Sequence, residues 1–229
     1  MSRTRRDTLW VVAGVLAIAH VVLMLGSFAL QRVAPLGASS HVVVTDHITW
    51  SLTKGMGGGY LTALSFLVFL VEASLLSTLV RGATDQTRWC ASTVSGSGVV
   101  YVAATFTALA NLGGALYVGH HHADVATVTA LVDVHWFAVY VAILALGVFT
   151  LATSTALLLT DALPRWVGFA GLGVGAVCIV ATPVAGPNLG TLVWIVWFVA
   201  LGVSAVRRTD RAAPGAVTED RPGTDVRVA

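Results

Sequence analysis

Glu72 stands in the middle of an apolar run, Phe69-Leu70-Val71-Glu72-Ala73-Ser74, with no countercharge beside it. A buried, unpaired carboxylate is costly, so the residue must face a bundle interior, reach water or carry a proton. That makes it a candidate proton carrier, general acid or anchor for a polar group. The plain alternative is a neutral carboxyl bonded to a neighbouring helix, with His20, Ser74, Ser77, Thr107 and Asn111 as candidate partners. His20 is also intramembrane by sequence. It has no second histidine at matching depth to form a bis-histidine haem pair, so a bond across helices, or to Glu72, is its leading reading.

The other histidines gather between apolar runs. His120, His121 and His122 close the third run, His135 opens the fourth, and His41 and His47 follow the first, with Asp46, Asp124 and Asp133 among them. Imidazole and carboxylate together suit Zn²⁺ or Cu²⁺. Three consecutive histidines cannot all face one ion from a helix, so His120, His122 and Asp124 make the candidate metal set. A solvated polar rim is the plain reading, and pH sensing by imidazole is the third. Neither a zinc-protease helix motif nor a Gly-x-Ser-x-Gly elbow occurs. Cys90 and Cys178 are badly placed to bridge and support no thiolate site.

These residues need elements to hold them. Only 10% of the chain is charged, against about 25% in soluble domains, so a water-soluble fold is improbable. Apolar runs at about 9–30, 59–80, 94–118, 134–158, 166–184 and 189–206 predict six transmembrane helices in an all-α bundle. Eleven basic residues flank alternate ends of these runs, and only Arg32 and Lys54 fall on the other side. Short basic loops stay cytoplasmic, so both termini are expected inside and six of the seven histidines outside. A multi-pass plasma-membrane protein with the lipid bilayer as its partner follows. The basic residues are explained by topology, which leaves nucleic acid without support.

Residues 1–206 form one expected transmembrane domain, and the polar stretch 207–229 an expected disordered cytoplasmic tail. The start reads as an uncleaved first helix rather than a signal peptide. Within 31–58, Trp50 and scattered valines suggest a short interfacial helix, and Gly57-Gly58-Gly59 a flexible approach to the second span. Gly171 and Gly175 allow close helix packing, inside the bundle or at a homodimer seam. Thr105, Thr107, Thr150, Thr153 and Asn111 are expected to bond between helices, and Tyr101 and Tyr140 to pack.

The run Leu163-Pro164-Arg165-Trp166-Val167-Gly168-Phe169-Ala170-Gly171, with Trp194 and Trp197 in the last span, resembles a broad group of six-helix bacterial membrane proteins common in actinobacteria. Those proteins tend to carry an acidic residue in the second span, matched by Glu72. The resemblance implies the six-helix fold and lends no activity; the histidine-rich segments depart from it.

Missing catalytic signatures favour a non-enzymatic role in the envelope, in sensing or in packing with a membrane-protein partner or a second copy. The alternative is a membrane-embedded enzyme acting on an isoprenoid or another lipid-soluble substrate. There Glu72 would donate a proton in an apolar cavity, with Asp133 and His135 at its mouth. A proton-coupled carrier using Glu72 is the third reading, weakened by the lack of internal repeats.

Overall fold

The computed structural model describes residues 3–33, 51–122 and 125–208. Among these the chain forms helices and no strand: α1 (Arg3–Leu30), α2 (Leu52–Val80), α3 (Asp85–His122), α4 (Val125–Thr160), α5 (Arg165–Val180), α6 (Thr182–Ala185) and α7 (Pro187–Arg207). The segment 34–50, with His41, Asp46, His47 and Trp50, lies outside the described residues, as does the tail beyond Arg208.

Among the described residues five helices, α1, α2, α3, α4 and α7, are long and apolar enough to cross a membrane. The 16 residues of α5 rise only ~24 Å, short of a ~30 Å hydrocarbon core. Pro183 explains the break. It has no N–H to continue the ladder but is tolerated in the first turn of a new helix, so the run 166–184 divides into α5 and α6. The helices are apolar on their outer faces too: Val196 is 72% exposed, Phe137 65% and Phe169 63%. A helix apolar all round belongs in lipid or in the core of a large protein, and this chain is a membrane protein by that criterion.

α1, α2, α3, α4, α5 and α7 follow one another round a closed ring, in which α7 returns against α1. Each hairpin runs antiparallel. Arg6 Nη2 near the start of α1 donates to Leu79 O near the end of α2 at 3.2 Å. Ser77 Oγ donates to Ala91 O at 2.8 Å, joining the end of α2 to the start of α3. Asp7 and Arg208 pair at 3.6 Å, and the Arg208 guanidinium lies 5.5 Å over the Trp10 ring. Arg208 also donates to Ala162 O. These contacts define a terminal end of the ring; the α3–α4 connection marks the distal end.

Two glycine seams tighten the ring. A Cβ on Gly14 would lie 2.5 Å from Gly202 O, joining α1 to α7, and one on Gly175 would lie 3.0 Å from Gly147 O, joining α5 to α4. In lipid, helices associate through such close packing because water does not drive them together. Gly171 likewise faces α4, where a Cβ would collide with Ser154 Oγ. The small-residue stripe of α5 is therefore used inside the chain.

Helices extend beyond the apolar runs. Ser51 caps α2, its Oγ accepting from Lys54 N at 3.4 Å, so Gly57, Gly58 and Gly59 are helical rather than a flexible approach. A Cβ on Gly58 would meet Gln31 Cγ at 2.6 Å, so the triplet serves the α1–α2 contact. α3 and α4 have 38 and 36 residues, ~57 and ~54 Å, longer than a bilayer core. Near their shared tip Ala115, Val128 and Val132 form a small apolar cluster separate from the main core.

Candidate functional site

The centre of the ring is filled by aromatic rings drawn from five helices. Phe69 of α2 touches Tyr101 of α3 at 4.9 Å between centroids, Phe149 of α4 at 5.1 Å and His20 of α1 at 5.2 Å. Trp194 and Phe198 of α7 stack on each other at 4.3 Å and close the circle. Edge-to-face and offset pairs of this kind each add ~0.5–1.5 kcal/mol beyond burial. The layer is a plug across the ring.

His20 is part of that plug, and its tautomer follows from its partners. Ser65 O lies 2.8 Å from Nδ1, and a carbonyl can only accept, so Nδ1 carries the proton. Ser65 Oγ meanwhile donates to His20 O at 2.9 Å. His20 Nε2 is left buried without a partner among the described residues. The imidazole thus bonds between helices, as one expectation had it, but to Ser65 rather than to Glu72.

Glu72 lies one turn beyond the plug, towards the terminal end. It is fully buried, and neither carboxyl oxygen has a hydrogen-bond partner among the described residues. Its candidate partners are engaged elsewhere. Ser74 donates to Leu70 O, Ser77 to Ala91 O, Thr107 to Ala103 O and Asn111 to Thr107 O. His20 is level with Ser65, seven residues and ~10 Å along the helix from Glu72. Thr153 is the residue in register. α2 and α4 run parallel, Phe69 meets Phe149, and Glu72 and Thr153 follow them by three and four residues. Thr153 Oγ1 is also buried and unpartnered.

On the distal side of the plug is a cavity of about 670 Å³. Phe66 and Tyr101, 5.2 Å apart, form its floor. Its walls are largely apolar, with Met24, Leu112, Val139 and Ile143 among them, and Gln31 and Asn188 lie towards its distal end. A largely apolar cavity of ~300–1,000 Å³ with a few polar groups is the usual form of a small-molecule site.

His135 belongs to this wall. Its Nδ1 donates to Ala108 O at 2.8 Å, so Nε2 is the unprotonated edge of the neutral ring. Sequence reading set His135 at the polar rim; in the structure it is only 9% exposed. The reason is that α4 already starts at Val125, which carries His135 inward against α3. Asp133, two residues away and on another side of the helix, does not line the cavity. The three candidate catalytic residues are thus not brought together: His135 lines the cavity, Asp133 faces elsewhere, and Glu72 lies beyond the plug.

The candidate metal residues fall at the tip of the α3–α4 hairpin. His120 and His121 turn Nδ1 to the carbonyls of Leu116 and Tyr117, at 3.0 and 2.9 Å, and His121 stacks on Tyr117. His120 is ~18 Å along α3 from the level of His135. The side chain of His122 and all of Asp124 lie outside the described residues. Among the described residues no group of three His, Cys, Asp or Glu side chains converges as a metal site would require.

Several cavity residues carried no clear signal in the sequence. Thr62, Gln31 and Thr191 are among them; Thr105, which lines the cavity, and Thr150, which does not, were expected to bond across helices. Instead Thr105 and Thr150 donate to Tyr101 O and Leu146 O of their own helices, at 2.8 and 2.7 Å. No family model, curated protein or solved structure matches this chain.

Proposed function

We propose that this chain is a six-span plasma-membrane protein that binds a lipid-soluble small molecule in the distal half of its bundle, in a non-enzymatic sensing role. In this reading α5 and α6 together make the fifth crossing, and the terminal end is cytoplasmic. The distribution of arginine supports that orientation: Arg6, Arg81, Arg165 and Arg207 gather at the terminal end, while Arg32 and Lys54 stand at the distal one.

The carrying observation is the cavity, about 670 Å³ and mostly apolar. Its floor of Phe66 and Tyr101 separates whatever it holds from the rest of the bundle interior. The test is saturable binding of radiolabelled farnesol, a fifteen-carbon isoprenoid alcohol, to the protein in nanodiscs, corrected for empty discs. Ala142 lines the cavity and is 4% exposed, so Ala142→Trp fills the space and should abolish binding. Val196→Trp, on a lipid-facing position 72% exposed, should leave it intact. Equal binding by both variants refutes the site.

One observation favours a second reading, an enzyme or proton-coupled carrier: the fully buried, unpartnered carboxyl of Glu72. An unchanged cellular phenotype with normal expression of Glu72→Gln would remove it.

A further inference from the structure

The polar atoms of the cavity wall differ in what they can still offer a ligand. A threonine hydroxyl has one proton. Thr105 gives its proton to Tyr101 O at 2.8 Å, and Thr191 gives its own to Pro187 O at 2.9 Å. Thr62 donates to Gly58 O at 3.0 Å, and its oxygen already receives Gln31 Nε2 at 3.4 Å and sits 2.5 Å from Ser27 Oγ. Thr62 is saturated, whereas Thr105 and Thr191 retain only lone pairs.

His135 adds the strongest acceptor. Its Nδ1–H is held by Ala108 O, which leaves an in-plane lone pair on Nε2 with no protein partner among the described residues. Gln31 has one amide N–H directed at Thr62, which leaves its second N–H and its carbonyl oxygen for a ligand. Tyr101, Tyr140 and Asn188, whose groups both give and accept, can answer a ligand either way. No Asp, Glu, Lys or Arg lines the cavity among the described residues, so nothing there neutralises a charged guest.

We infer that the cavity is selective for neutral, lipid-soluble molecules that donate a hydrogen bond, namely alcohols or phenols, with His135 Nε2 as the receiving atom. This deepens the binding role proposed above and rests on it. A carbonyl or ether head can accept from Tyr101, Tyr140, Asn188 or Gln31, but it brings no proton to His135 Nε2 and leaves that acceptor unanswered. A hydroxyl placed against Nε2 satisfies both sides.

The test compares farnesol with its methyl ether, which keeps the chain and removes the O–H. Farnesol should bind the wild-type protein roughly three- to tenfold more tightly, the value of one hydrogen bond at a mostly apolar site. His135→Phe keeps a ring and removes the acceptor, and should lower farnesol affinity to that of the ether while leaving the ether unchanged. Should that variant fail to fold, Thr191→Val, which removes a lone pair at nearly constant shape, should narrow the gap between the two probes. Equal affinity of alcohol and ether for the wild type overturns the inference and leaves the cavity reading standing. Saturable binding of neither probe overturns both.

Discussion

Glu72→Met separates a stored cost from a structural need. Methionine keeps an unbranched chain of similar size, so the packing around this buried position is preserved while two unpartnered oxygens are removed. A buried polar group without a partner costs ~1–3 kcal/mol. At this chain length a gain of 1 kcal/mol moves the unfolding midpoint by about 2–4 °C, so the variant should melt ~2–12 °C higher. The assay is tryptophan fluorescence through a thermal ramp, in one detergent at fixed protein-to-detergent ratio. A rise means that the wild type carries an unsatisfied carboxyl for reasons other than stability. A fall of the same size would show that the carboxyl is held by partners, and would refute the placement of Glu72 as an orphan one turn below the aromatic plug.

The glycines of α5 should respond to the same substitution with opposite sign. Gly175→Ala drives a Cβ to 2.7 Å from Leu151 Cγ and 3.0 Å from Gly147 O, and should cost ~1–3 kcal/mol by overpacking. Gly173→Ala meets nothing within 4 Å and should gain up to ~1 kcal/mol from helix propensity; the same thermal ramp reads both. At the hairpin tip, purified protein is expected to carry no stoichiometric zinc or copper that depends on His120 and His122. One equivalent of metal, lost in the double alanine variant, would refute that.

Much of the framework was legible because lipid imposes it. Apolar runs of span length mark α1, α2, α3, α4 and α7, and the position of Glu72 within α2 follows from composition alone. Helix ends were less legible, since polar residues can prolong a helix where a neighbour covers it. Thus α3 reaches back to Asp85. Asp124 reads as a helix cap, so the early start of α4 at Val125 was legible, but not that it would move His135 from an expected rim to a buried wall. Register between helices was not legible at all. Nothing in the sequence says that His20 meets Ser65, that Glu72 is level with Thr153, or that Phe66 and Tyr101 share a floor. The threonines illustrate the limit: their depth is readable, but whether they bond to a neighbour or to the turn below depends on what faces them.

The closed ring also bears on how the protein is made. Contacts between α1 and α7 join the first described helix to the last, across the greatest separation between described helices. Until α7 is released into the bilayer, the side of the ring it will occupy stands open. The inward faces of His20 and Phe69, which will contact Trp194 and Phe198, then border lipid. Docking of α7 therefore closes the ring laterally at the Gly14–Gly202 seam. A nascent chain stalled before α7 is a five-helix groove, open to lipids or to insertion factors, and has a different set of neighbours from the finished protein.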